Sequence, residues 1–279
     1  FKKELENKPE GVSPHKKIFF TEALQTLKIS NELRQNLNVY DENIQEYLLH
    51  INKKRDPPVV LKYFQYVAVL LTEVYLDKLY HDLNSFYLDY TNFIINLNRK
   101  ENIAGSPKYP FPDKKNMKKL AYWSATGSGK TLLMHINMLQ FKKYYKGKYD
   151  NFLLITPNEG LTSQHMSELS LSSIDHKKFE IQRTLDDWTL EDPIKVIEIT
   201  KIKKEVESQD GKIIPVEAFG KANALFVDEG HKGHSTEAQT WKNNRKELVE
   251  NGGFTFEYSA TFGEITDKDD TFKEYASCI

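Results

Sequence analysis

The chain has a single cysteine, Cys278, in 279 residues. That excludes an internal disulfide framework and suits a reducing compartment, so a cytoplasmic setting is expected. An excess of one charge is also missing, because 39 Lys and Arg stand against 40 Asp and Glu, for a net charge of −1. A globally basic nucleic-acid-binding surface is thereby excluded, but a local basic groove is not. Long hydrophobic runs are absent too. The most apolar stretch, 59–76, is interrupted by Lys62, Gln65 and Glu73 and makes a poor membrane span. The opening Phe-Lys-Lys-Glu-Leu-Glu lacks the apolar core of a signal peptide. There is no internal repeat and no low-complexity tract. What the chain does have is 39% hydrophobic and 12% aromatic residues, enough for a sizeable core, so wholesale disorder is excluded. The length suits one large domain or two smaller ones. A start at Phe1 rather than methionine, and an abrupt stop at Ile279, lead to the expectation of a piece of a longer protein.

Residues 13–98 read as helical. Ser13-Pro14 predicts a helix start, with a capping side chain before a proline, and Ser30 and Asp41 are further candidate N-caps. Asp56-Pro57-Pro58 breaks the pattern. Helices are expected over about 59–80 and about 85–97, followed by a loop over 100–116 that holds Gly105, Pro107, Pro110 and Pro112. From Leu120 the period changes. Short apolar runs at 120–123, 152–155, 195–199, 224–227 and 254–258 alternate with helical patterns at 131–144, 159–171 and 236–250. Such alternation predicts an α/β fold with a parallel sheet covered on both faces. Gly252-Gly253 is placed to close the last helix. The segment 205–215, with Asp210-Gly211, reads as a hairpin insertion.

Ser-Ala-Thr-Gly-Ser-Gly-Lys-Thr fills Ser124–Thr131, after an expected strand and before an expected helix. That is the setting of a phosphate-binding loop. Gly127 and Gly129 allow a tight turn and close approach to phosphate oxygens; their N–H groups, with the helix N-terminus beyond, form an anion nest, in a cofactor-binding loop that also takes in Ala125, Thr126 and Ser128. Lys130 would place its ammonium on the β- and γ-phosphates of ATP, and the Thr131 hydroxyl would reach Mg²⁺. Downstream, Ala-Leu-Phe-Val-Asp-Glu-Gly-His occupies Ala224–His231. Four apolar residues predict a buried strand with two carboxylates at its C-terminal end, where open parallel sheets bind ligands. Asp228 would hold Mg²⁺, Glu229 would polarise the attacking water, and His231 would link the nucleotide site to neighbouring motifs. An Asp-Glu pair is weak alone. Together with the loop at Lys130 it is specific.

Ala-Thr-Gly-Ser-Gly-Lys-Thr at Ala125–Thr131 resembles the Ala-x-x-Gly-x-Gly-Lys-Thr loop common in superfamily 2 helicases, with Ser124 at the first position, where that loop has alanine and the general pattern glycine. Residues 120–262 resemble the first RecA-like domain of superfamily 2 DExH-box proteins. They are most similar to bacterial DEAD/DEAH-box family proteins and to the Res subunit of type III restriction enzymes. Several roles follow from the resemblance. Ser259-Ala260-Thr261 resembles the motif that couples hydrolysis to strand movement. Thr156-Pro157-Asn158, with Gln164 on the next helix, resembles the motif that grips a nucleic-acid backbone, and Thr200-Lys201 is a second such candidate. Leu61-Lys62-Tyr63-Phe64-Gln65 resembles the pattern whose glutamine reads the adenine edge; a polar position on an apolar helix explains Gln65 equally well.

The expected organisation is a helical accessory region over 1–56, helices and a loop over 57–116, and a RecA-like P-loop ATP-binding domain over 117–279. The resemblance implies an ATP- and Mg²⁺-dependent translocase or helicase. Its partner would be nucleic acid, DNA rather than RNA, and not a membrane. A second RecA-like domain would lie beyond Ile279, and the motor part of a restriction or defence system, with a modification or nuclease subunit, fits the same family. A nucleotide-gated interaction module and a small-molecule kinase are the rival readings. The water-activating Glu229 argues against the kinase.

Overall fold

The computed structural model describes residues 2–100, 109, 111–180, 192–203, 213–229, 243–260 and 277–278. The fold divides into two compact units, and the first comprises Phe1–His81, Thr131–Lys146 and Ser167–Ile174. After a short turn of helix, α1 (Lys2–Leu5), come α2 (Phe19–Thr26), α3 (Asn31–Ile51) and α4 (Tyr63–His81). Apolar positions Leu24, Leu37, Ile44, Tyr66, Val69 and Ile136 meet in one buried cluster. Among the described residues no helix is long and apolar enough to cross a membrane.

Two of the expected helix starts are different in the structure. Ser13-Pro14 does not open a helix. The chain turns there, with the Ser13 N–H donating to the Lys17 carbonyl and Val12 bridging Ile18, and α2 begins only at Phe19. Asp41 lies in the middle of α3, not at its start. Its carboxylate, 2% exposed, accepts from the Ile18 N–H at 3.1 Å and the Thr21 hydroxyl at 2.5 Å. It caps α2 from another helix and leaves α3 uninterrupted. Ser30 does cap α3, accepting from the Leu33 N–H at 3.2 Å. Asp56-Pro57-Pro58 separates α3 from α4 as expected.

The second unit comprises Asp82–Lys130, Gly147–Met166 and Asp175–Ile279. It takes in all of α5 (Leu83–Lys100) and carries the sheet strands β1 (Lys119–Trp123), β2 (Asn151–Thr156), β3 (His176–Lys178), β4 (Ile194–Glu198), β7 (Asn223–Asp228), β8 (Phe254–Ser259) and β9 (Ser277–Cys278). The helices α6 (Lys130–Tyr144) and α7 (Glu159–Leu171) follow β1 and β2 in the chain. The sheet order is β3-β4-β2-β7-β8-β1-β9, and every pairing is parallel. All residues of β2 and β8 are buried, and β2 accordingly carries a continuous apolar run over Phe152–Ile155, whereas β8 buries Thr255, Glu257 and Ser259 as well. One face of the sheet packs Leu153, Ile155, Ile197, Leu225 and Val227 against Phe219 and Leu248. On the other face Tyr122, Phe226, Phe256 and Tyr258 stack, with centroids 4.8 Å apart for Tyr122–Tyr258 and 5.0 Å for Phe226–Phe256.

This is the expected α/β class, with a parallel sheet preceded by helices. Most of the hairpin expected at 205–215, residues 205–212, lies outside the described residues; the flanking strands β5 (Ile202–Lys203) and β6 (Ile214–Pro215) pair in parallel. Gly252 has φ +90°, and its N–H and that of Gly253 both donate to the Val249 carbonyl, closing the helical turn at 243–248. The strands β3 and β9 carry no apolar run and are not anticipated by sequence pattern.

Candidate functional site

Strand register builds the site. Trp123 pairs with Ser259, Tyr258 with Asp228, Val227 with Ile155, and Thr156 with Glu198. Because all four pairings are parallel, β1, β8, β7, β2 and β4 end along one edge. The loop after β1, the Ser259 motif, the carboxylate pair and the segment after β2 therefore all lie along that edge.

The loop leaves β1 at Ser124, whose N–H donates to the Ser259 carbonyl at 3.0 Å, and turns where the Ser128 N–H donates to the Ala125 carbonyl at 3.1 Å. Gly127 and Gly129 have φ of +76° and +90°, in the left-handed region that glycine adopts without strain. Ala125, Thr126 and Gly127 are exposed, and a Cβ on Gly127 would meet no heavy atom within 4 Å. That open space is what a phosphate needs. Lys130 opens α6 and sits 3.2 Å from Glu229 Oε1, with both side chains about six-sevenths buried (14% and 16% exposed). Glu229 is held firmly. Its φ is +54°, uncommon for a side chain of this size, and its N–H donates to the Tyr258 carbonyl at 2.8 Å. The Ser259 hydroxyl donates to its other oxygen, Oε2, at 3.3 Å. The main chain of Ala260 is tied in as well, accepting from Trp123 Nε1 at 3.2 Å.

Asp228 ends β7 with its Oδ2 3.0 Å from His165 Nε2. Sequence reasoning singled out Gln164 and passed over this histidine. Gln164 is exposed, while His165 is 4% exposed. Helical spacing was the available signal, since Thr162 and His165, three apart, share the buried face of α7. At the nucleic-acid candidates, Thr156 is fully buried and its hydroxyl pairs with that of Thr162 at 2.5 Å, so its side chain faces the interior. Pro157 and Asn158 are accessible, and Asn158 Oδ1 caps α7 by accepting from the Leu161 N–H at 3.0 Å. Thr200 is exposed, and Lys201 Nζ pairs with Glu198 Oε1 at 2.5 Å. Gln65 is buried in the helical unit, where its Oε1 accepts from the Lys62 N–H at 2.9 Å at the start of α4. Thr131 also belongs to that unit. His231 and Thr261 lie outside the described residues.

The donor set fits a magnesium triphosphate. A hard carboxylate oxygen at Asp228, an ammonium at Lys130 and a glycine loop without Cβ obstruction match a cation bound by few protein oxygens together with phosphates.

Comparison with curated proteins gives no match. Among solved structures the chain is similar to the UvsW helicase from bacteriophage T4, at 15% identity and a TM-score of 0.37. That match covers 68% of this chain and 66% of that one, so the chain spans just under two thirds of its length. The family described as type III restriction enzyme, res subunit, matches residues 75–264. Because that stretch is more than half of the chain and includes both the Ala125–Lys130 loop and the Asp228-Glu229 pair, the chain belongs to the type III restriction enzyme Res subunit family, a group of helicase-type ATP-binding P-loop proteins.

Proposed function

We propose that this chain is the first motor domain of an ATP-dependent nucleic-acid translocase, acting on DNA in a restriction-type system with a second RecA-like domain. The observation that carries the reading is the pairing of Lys130 with Glu229 at 3.2 Å, beside Ser259, on the C-terminal edge of a parallel sheet. Lys130 would bind the β- and γ-phosphates, which compete with Glu229 for the same ammonium. The Glu229 carboxylate, released from Lys130, would then orient water and accept its proton. Ser259 touches Glu229 and stands at the end of β8, so a shift of that strand would reach the water-orienting group directly. Thr131 and Asp228 would hold Mg²⁺, which when bound supplies positive charge to the phosphate oxygens. Pro157, Asn158, Thr200 and Lys201, beyond the ends of β2 and β4, would contact the nucleic-acid backbone, and Gln65 would read the adenine. The same groups would also serve a nucleotide-gated binding module. Steady-state phosphate release by the complete protein, with and without DNA, separates the two: a motor is stimulated by DNA, and a rate indifferent to DNA would sink the proposal.

A further inference from the structure

We propose that His165 is a positioning residue for the metal ligand Asp228, an inference that rests on the nucleotide-site reading above. The contact is Nε2 to Oδ2 at 3.0 Å, between side chains that are 5% and 13% exposed. A carboxylate can only accept, so in the neutral imidazole Nε2 carries the hydrogen and donates it. Nδ1 is then the bare nitrogen; it is buried and has no hydrogen-bond partner among the described residues. Among the described residues the ring is therefore aimed through one polar contact, the one to Asp228. A carboxylate at a strand end is free to rotate about its last torsion unless something fixes one oxygen. With Oδ2 engaged, Oδ1 is the oxygen left to face a hydrated cation. This is how outer-sphere partners of metal ligands act, and their loss commonly costs about ten- to hundred-fold in metal affinity.

The histidine also has an address. It lies on α7, and the cap of that helix is Asn158 in the segment after β2. The Thr156–Thr162 hydroxyl pair ties the same helix to the end of β2 at 2.5 Å. Residues that would touch a nucleic-acid backbone and the group that orients the metal ligand thus belong to one short rigid piece of chain. Loss of the imidazole should act on the cation first and on the phosphates little.

The test uses calorimetric binding of a non-hydrolysable ATP analogue to the purified chain, in EDTA and across a Mg²⁺ titration. His165→Leu fills the space without a donor, and His165→Gln returns an N–H near the position of Nε2. We expect His165→Leu to leave affinity in EDTA unchanged and to raise the Mg²⁺ concentration for half-maximal tightening about tenfold. His165→Gln should stay within about twofold of the parent. Should the leucine variant not melt cooperatively, His165→Asn, whose amide is too short to reach Oδ2, takes its place. A parental Mg²⁺ titration in the leucine variant, an equal loss in EDTA, or a glutamine variant as impaired as the leucine one would overturn the proposal while leaving the nucleotide site standing. A parent that binds no nucleotide would overturn both.

Discussion

Lys130 and Glu229 hold opposite charges 3.2 Å apart, so a change in either is felt by the other. Lys130→Ala removes the mobile cation expected on the phosphates. A charge-assisted contact of that kind contributes roughly 1.5–3 kcal/mol, so ATP affinity should fall about ten- to hundred-fold by isothermal titration. Glu229→Gln acts in the opposite direction on binding. Its amide no longer competes for the ammonium, and a partly exposed ion pair is worth up to about 1 kcal/mol, so nucleotide should bind as tightly as to the parent or up to about fivefold more tightly. Turnover should nevertheless collapse in the complete protein, because an amide cannot take a proton from water. Weaker binding in this variant, or a parental rate, would mean that another group orients the water. Both side chains sit in local motifs that can be read in the sequence, but their approach to 3.2 Å cannot be read there. Nor can the role of His165, because it depends on a contact across 63 residues of chain.

Helices and strands were legible where their signal is periodic, and illegible where a buried polar group acts at long range. The helix starts show the contrast. Ser30 caps its own helix and is legible as a local signal, whereas Asp41 caps a different helix and only resembles one. Glu73 on α4 was noted only as an interruption of an apolar run, yet it is fully buried. Asn43, Tyr47 and Tyr144 donate to its Oε1 at 2.7, 3.2 and 2.9 Å, and Gln140 donates to Oε2 at 2.7 Å. Glu73→Ala would leave these donors facing one another without an acceptor. A loss of roughly 3–5 kcal/mol in the stability of the helical unit is expected by denaturant unfolding, as for other broken buried networks. Burial is the largest influence on this carboxyl and lifts it above its ordinary value of 4.5, against the pull of its four donors. The folded form then holds its proton to higher pH than the unfolded chain does. Its contribution is therefore fully present below about 4.5 and falls as pH rises toward the lifted value. A pH series of unfolding curves in which Glu73→Gln flattens that fall would agree; an unchanged slope would assign it to other groups. Gln65, near the start of the same helix, caps the Lys62 N–H and is proposed to read adenine, and one variant separates the two. Gln65→Ala should cost about 1 kcal/mol if the Lys62 N–H cap is all it supplies, with the ATP to GTP preference unchanged. A reduced preference would add adenine reading to the cap.

At the scale of the molecule, strand order places the loop strand β1 and the carboxylate strand β7 on either side of β8, so that Ser259 stands between the two halves of the site. The parallel sheet and the order of motifs along the chain are legible in the sequence. It could not give the order of strands across the sheet, because register and neighbour choice are settled by packing between distant segments. Nor could it foresee β3 and β9, whose three and two residues carry no apolar pattern. In the motor proposed above, a second RecA-like domain would bring an arginine to the γ-phosphate. Such an arginine contributes roughly 10³–10⁵ in turnover in nucleotide hydrolases. Residues 1–279 carry the glycine loop, Lys130, Asp228 and Glu229 along one sheet edge, the groups proposed to hold phosphate and Mg²⁺ and to orient water. Purified on their own, they should bind Mg²⁺-ATP and hydrolyse it at a barely detectable rate that single-stranded DNA does not raise, and they should separate no strands. A phosphate-release assay with and without DNA reads this directly. Robust DNA-stimulated turnover would mean that an arginine of this chain already completes the site, and that the second domain serves movement rather than chemistry.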